Sequence, residues 1–272
     1  FPHEGQFPAL KAFFTENKKI ICLQCGRSAG KTESILYVVW RFAMTVPNAE
    51  IYIICPEKLQ VKKIYWMSRR LQDYGPRKYV KDSFKSDLTL EFANGSYIMI
   101  DGCENYDAAR GIKPSLVVYD EFQNHSKEFD EEVMQPNLST GNVNLLVAYT
   151  PPKRHNYCVE FRKEHLEKIQ EGDPYRCYIE LPTSVNPRTD KQWLAQKEAD
   201  LKKRGRYNTW LREYMGKLVF DMEGAIIPSW DPGVHLKSRN WLLEAIRPDL
   251  KKLKFFAFAD PGTSTCFAIL FI

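Results

Sequence analysis

The chain has 272 residues, 44% of them hydrophobic, and 39 basic against 34 acidic side chains give a formal charge of +5. That is enough to bury one full α/β core plus a smaller appendage, while so mild a charge permits a polyanionic partner without demanding one. Seven scattered cysteines, an odd number, are the habit of a reduced compartment, and no run approaches the roughly 20 apolar residues of a membrane-spanning helix. Phe1 stands where neither an initiator methionine nor a signal-like apolar region is found, so the first residue is expected to lie inside a longer gene.

Residues 19–23 form the first apolar, β-rich run, and residues 33–44 have a helical pattern. Between them lies Cys25-Gly26-Arg27-Ser28-Ala29-Gly30-Lys31-Thr32, where a phosphate-binding loop must sit. In such a loop the backbone N–H groups and the start of the next helix cradle a polyphosphate, a lysine reaches the β/γ-phosphates, and a hydroxyl joins a Mg²⁺ shell. Those roles fall to Gly30, Lys31 and Thr32, and the pattern departs from the general one at Cys25, with Gly26 one place later. Cys22 and Cys25 form a lone C-x-x-C that reads as buried thiols rather than metal ligands.

Further apolar runs at 51–55, 115–119, 144–149 and 176–181 alternate with helical patterns such as 57–74 and 157–171. This alternation predicts an α/β fold with a mostly parallel sheet flanked by helices. Between the second and third of these strands, 88–92 and 96–100 flank Asn94-Gly95, a hairpin signal, so a β-hairpin insertion is expected there. The third run ends Tyr119-Asp120-Glu121, a Walker B arrangement in which Asp120 can hold Mg²⁺ with Thr32 while Glu121 deprotonates the attacking water. A catalytic glutamate after the aspartate points to the motor-type (ASCE) P-loop NTPases. Beyond residue 182, helices are expected at 189–204 and 208–216, and residues 220–247 read as a linker packed by its aromatics. Two last apolar runs, 253–259 and 266–272, flank Asp260-Pro261-Gly262.

Taken together, Gly26-Arg27-Ser28-Ala29-Gly30-Lys31-Thr32, Phe1-Pro2-His3-Glu4-Gly5-Gln6, Ala109-Arg110-Gly111, Asp120-Glu121, Tyr149-Thr150-Pro151-Pro152, Asn186-Pro187, Tyr214-Met215-Gly216 and Asp260-Pro261-Gly262 resemble the large terminase subunit of tailed bacteriophages. That family packages DNA into procapsids with an ATPase and a nuclease, and the likeness covers nearly the whole chain. It implies an ATPase domain over 1–182, a helical lid subdomain and linker over 183–250, and the first hairpin of an RNase H-like nuclease domain over 251–272. It implies that Gln6 reads adenine, that Arg110 or Arg27 is the arginine finger, Arg110 reaching a neighbour's γ-phosphate, and that Thr150 senses nucleotide state in a coupling motif. Asp260 is implied as the first nuclease ligand for Mg²⁺ or Mn²⁺; without the resemblance it is a turn aspartate. Because further nuclease carboxylates would lie past Ile272, these residues are expected to hydrolyse ATP without cutting DNA.

The partners implied are double-stranded DNA, the portal protein, the small terminase subunit and further copies of the chain in a pentameric ring. The setting implied is the cytoplasm of an infected bacterium, transiently at the portal vertex of a procapsid, with no membrane involved. DNA phosphates could be gripped by Lys62-Lys63, Arg69-Arg70, Lys153-Arg154-His155 or Lys202-Lys203-Arg204 with Arg206, although such runs are also what solvated helix faces carry. Two other readings stay open on the residues: a helicase-like nucleic-acid-dependent ATPase, and a scaffold that binds ATP without turning it over.

Overall fold

In a computed structural model, residues 2–104, 112–138, 143–220, 256–261 and 266–271 are described, the last two stretches by backbone alone. The chain divides into two compact units, Phe1–Asp221 and Met222–Ile272. The first is built on an eight-stranded sheet of order β3-β4-β5-β2-β6-β7-β1-β8. Its parallel part comprises β5 (Tyr97–Gly102), β2 (Glu50–Cys55), β6 (Leu116–Asp120), β7 (Asn144–Tyr149), β1 (Ile20–Cys25) and β8 (Arg176–Leu181).

The central strands β2, β6, β7 and β1 read as continuous apolar runs because both faces of the sheet are covered there, whereas β5 alternates and β8, at the edge, is only partly buried. Alternate residues feed different cores: Ile21, Leu23, Ile51, Ile53 and Val118 join one cluster, while Cys22, Tyr52, Ile54, Val117 and Tyr119 join the other. The first core is roofed by α1 (Phe7–Phe14) and α2 (Lys31–Thr45). The second is closed by α4 (Lys127–Phe129), a π turn at Asp130–Met134, α5 (Gln135–Leu138) and α6 (Tyr157–Gln170). Period-two alternation also parts Cys22 from Cys25 onto opposite faces. Both are buried free thiols, with burial raising each pKa to about 12, as expected of core cysteines rather than metal ligands.

The Asn94-Gly95 hairpin forms between β2 and β6 in the sequence, as expected, and β5 pairs in parallel with β2 along its whole length, so the hairpin extends the main sheet. Two features of the structure differ from the sequence reading. A further strand, β3 (Val80–Phe84), lies outside β4 (Thr89–Phe92) at the edge; four of its five residues are exposed, and a polar edge strand carries no apolar signal to read. The helix expected over 57–74 is only α3 (Lys58–Val61) plus a π turn at Lys62–Met67. It stops there because the chain closes over Trp40, whose indole N–H donates to Leu71 O at 2.8 Å while Gly75 lies against the ring.

Residues past β8 form α7 (Lys191–Lys203), capped by the Asp190 carboxylate on Gln192 and Trp193 N–H, and α8 (Tyr207–Glu213). They close on a small core of Leu194, Leu201 and Trp210. In the second unit β9 (Phe256–Pro261) and β10 (Cys266–Phe271) pair antiparallel, with Asp260 opposite Phe267. The linker reading of 220–247 lies almost wholly outside the described residues.

Gly95 has φ +85°, and a Cβ there would collide with Asn48 Oδ1. Gly95→Ala is therefore expected to destabilise the first unit by about 1–3 kcal/mol, read as a lower urea midpoint at unchanged slope.

Candidate active site

The parallel strands β1, β6 and β7 are neighbours, so their carboxyl ends deliver three loops to one edge of the sheet, the usual place for a ligand in an open α/β fold. From β1 the chain enters residues 26–30, passing through left-handed backbone at Ser28 (φ 58°) and Gly30 (φ 101°) before α2 begins at Lys31. Cys25 is wholly buried at the strand end, so the position where the general motif has its first glycine here belongs to the core. Gly26 is a glycine for another reason: a Cβ would collide with Tyr214 O and stand 2.8 Å from Thr183 Oγ1.

The loop is fastened on two sides. Gly26 N–H donates to Leu181 O (2.8 Å), Thr183 Oγ1 to Arg27 O (2.7 Å) and Asn186 Nδ2 to Ser28 O (2.7 Å), while the Arg27 guanidinium pairs with Glu213 of α8. On the other side, His3 Nε2 bonds Ala29 O (3.1 Å), and Gln6 Nε2 donates to Gly30 O (2.7 Å) and Ser34 Oγ (2.8 Å). Gln6 is fully buried and its Oε1 accepts from His3 N–H, so both its amide hydrogens hold the loop and the start of α2. His3 Nδ1, beside it, is a buried ring nitrogen with no hydrogen-bond partner among the described residues.

Lys31 faces the carboxylates of β6. Its Nζ lies 2.9 Å from Asp120 Oδ1 and also contacts Glu121 Oε1. Burial alone would push the ammonium pKa down, but Asp120 and Glu121 reverse this and raise it, so the lysine is charged. Asp120, 1% exposed, is aimed by Tyr65, whose hydroxyl donates to Oδ2 at 2.7 Å from the π turn. His125 Nε2–H donates to Asp120 O (2.9 Å). Glu121 adopts φ 55°, ψ 38°, a left-handed conformation costly for a residue with a Cβ and a recurrent mark of functional sites. Its second oxygen accepts from Gln123 Nε2 (2.6 Å), and Gln123 Oε1 accepts from Thr150 N–H (3.3 Å).

The loop and Glu121 border a cavity of about 1060 Å³, lined also by Thr32, Thr150, Arg70, Lys153, Arg154 and Arg188. Among the described residues no cluster of three or more His, Cys, Asp or Glu could by itself hold a metal. The hard oxygens of Thr32, Asp120 and Glu121 instead suit a cation such as Mg²⁺, which completes its shell with water and ligand phosphates. The structure thus brings together Gly26, Arg27, Ser28, Gly30, Lys31, Thr32, Glu121 and Thr150 at the cavity, with Gln6 at its wall and Asp120 and Ala29 buried behind it. Arg110 lies outside the described residues, as does the side chain of Asp260. Of the cations read from sequence as candidate DNA contacts, Arg70, Lys153 and Arg154 line the cavity, and Arg69 and Lys202 pair with Asp73 and Glu198 at 2.8 Å. Tyr65, Gln123 and His125 carried no sequence signal, since an aromatic in a helical pattern and polar residues after a strand look like core and loop.

A mostly parallel sheet with this loop and an acidic strand end defines a P-loop NTPase of the motor type. Residues 22–230 match the family model for the terminase large subunit, T4-like virus type, N-terminal region, and the chain belongs to that family. The fold is similar to the Thermus phage P74-26 large terminase ATPase domain (19% identity, 80% of this chain and 94% of that one, TM-score 0.60). It is also similar to the large terminase of a thermophilic bacteriophage in complex with ADP (18%, 98% and 65%, 0.64) and to the HK97 bacteriophage large terminase (14%, 80% and 51%, 0.66). The chain therefore spans between half and two-thirds of those two longer terminases. No curated protein matches the sequence.

Burial lowers the His125 pKa from 6.5 to about 4. The unfolded chain then takes up a proton near the ordinary value while the native state does not, so stability is lost as pH falls from 6.5 to about 4. The expected loss is about 3 kcal/mol, and urea titrations across that range should show His125→Phe losing less than the parent.

Proposed function

We propose that the chain is the ATP-hydrolysing motor part of a phage large terminase, driving double-stranded DNA into a procapsid. The observation that carries this reading is the Lys31 ammonium held between Asp120 and Glu121 at the mouth of a phosphate-loop cavity. In this reading Lys31 exchanges its carboxylates for the β/γ-phosphates of ATP. The backbone of residues 26–30 and the amino end of α2 receive the polyphosphate. Thr32 and Asp120 hold Mg²⁺, which neutralises charge on the phosphates when bound.

Glu121, freed from Lys31 but still held by Gln123, orients and deprotonates water. Arg27 leaves Glu213 for the phosphate tail, where its planar fork suits charge spread over equatorial oxygens, and Arg110 of a neighbouring copy in the ring is the alternative finger. With both hydrogens of Gln6 engaged by the loop and its Oε1 already accepting from His3 N–H, the second lone pair of that oxygen and the unpartnered His3 Nδ1 remain to meet the base. Residues 183–220 act as the lid, and Thr150 as the start of the coupling segment. Asp260 remains a proposed nuclease ligand for Mg²⁺ or Mn²⁺ in the longer protein. The portal protein, the small terminase subunit and a pentameric ring in the cytoplasm of an infected host belong to the same proposal. No helix among the described residues is long and apolar enough to cross a membrane.

Glu121→Gln should keep ATP affinity and lower kcat about 10²–10⁴-fold, the range for losing a general base, while Lys31→Ala should weaken both binding and turnover. Phosphate release and nucleotide titration measure the two effects. Turnover in Glu121→Gln equal to the parent would remove the glutamate from this role.

A further inference from the structure

Gln123 bridges two parts of the site that the sequence treats as separate. Its Nε2 donates to Glu121 Oε2 at 2.6 Å and its Oε1 accepts the Thr150 N–H at 3.3 Å, so one planar amide spans the end of β6 and the end of β7. Its own carbonyl accepts from Asn156 Nδ2 at 2.7 Å, which fixes the backbone at the start of α6 as well. A primary amide is the group suited to this place, since a carboxylate needs a donor and a backbone N–H needs an acceptor. The flipped amide would set oxygen against carboxylate and N–H against N–H, so its orientation is determined by its partners.

The two bonds are unequal. The one to Glu121 is short and charge-assisted; the one to Thr150 is near the limit of a hydrogen bond, so a movement of Glu121 breaks the second before the first. Thr150 precedes Pro151 and Pro152, neither of which has an N–H. Its amide is therefore the single backbone donor between Tyr149 and Lys153, and Gln123 takes it.

Resting on the reading of Glu121 as general base, we infer that Gln123 is a positioning residue that aims Glu121 and passes its displacement to the backbone at Thr150. While Lys31 holds Glu121 Oε1, the amide reaches both partners. When a nucleotide draws Lys31 away, Glu121 turns toward the attacking water, Gln123 follows it, and the Thr150 N–H is released. The segment leading into α6 is then free to shift in the ATP-bound state and is recaptured after hydrolysis. No bond to the nucleotide by Gln123 is required.

The test follows the Thr150 amide directly, by NMR hydrogen exchange on protein labelled with ¹⁵N-threonine, without nucleotide and with Mg²⁺ and ATP-γ-S. Exchange at Thr150 is expected to speed up at least threefold with nucleotide in the parent. Gln123→Met loses both bonds: exchange should be fast in both states, and kcat should fall about 10- to 100-fold with KM for ATP changed less than twofold. Gln123→Glu keeps an acceptor for Thr150 but sets a second carboxylate beside Glu121, so exchange should stay slow in both states while kcat falls. Unchanged or slower exchange in the parent on nucleotide binding overturns the inference whether or not the variants fold. So does the same nucleotide response in Gln123→Met. Glu121→Gln separates the two readings: if it turns over normally, the base assignment is wrong; if it is inactive while Gln123→Met has normal kcat, only the role of Gln123 is.

Discussion

One buried lysine between two carboxylates sets the terms for the rest of this molecule. Lys31 and Asp120 are 11% and 1% exposed at the side chain, and charges so removed from water survive only when each has its partner. The pairing requires that the end of β1 and the end of β6 lie one strand apart, which the sheet order supplies by placing β7 between them. Asp120 cannot turn away, because Tyr65 holds its other oxygen and His125 its carbonyl. The arrangement has a charge deficit: two carboxylates share one ammonium, and a site that is stable with one cation is chemically ready for a second.

Much of this was legible in the sequence, for reasons that differ by element. The runs that became β1, β2, β6 and β7 announced themselves because strands buried on both faces cannot hide their apolar character, while β8, half-buried at the sheet edge, showed through its Cys177, Tyr178, Ile179 and Leu181. The phosphate loop and the Asp120-Glu121 strand end were legible because glycine, lysine and paired acids at fixed offsets serve chemistry that tolerates few substitutes. Edge strand β3 and the π turn at Lys62–Met67 were not, the first because an exposed strand has no period to read, the second because a single widened turn leaves a helical pattern nearly intact. Gln6 was legible as a special residue but not in its local duty, since nothing in one dimension tells that its amide hydrogens end on Gly30 and Ser34.

The supporting residues around the site were the least visible. Tyr65 and Gln123 act through a hydroxyl and an amide placed by tertiary structure, 55 and two residues from the acids that they hold. Gly26 shows the opposite case, a residue whose identity fits the motif but whose local cause is the approach of Tyr214, almost two hundred residues on. A motif match can thus be right while the physical reason for each of its letters is elsewhere.

The way the phosphate loop is fastened bears on the order in which the chain can acquire its site during synthesis. Gly26, Arg27 and Ser28 are tied to Leu181, Thr183, Asn186 and Glu213, and β1 lies between β7 and β8, the last two strands of its sheet to be made. A ribosome that has produced the whole glycine-lysine-threonine sequence has produced none of its outer clasps. Until β7 is made β1 has no neighbour to pair with, and its apolar residues must wait in the open for strands more than a hundred residues downstream. The nascent chain therefore comes late to its ability to grip a phosphate, after α8 has left the exit tunnel, and until then it carries the motif without the site.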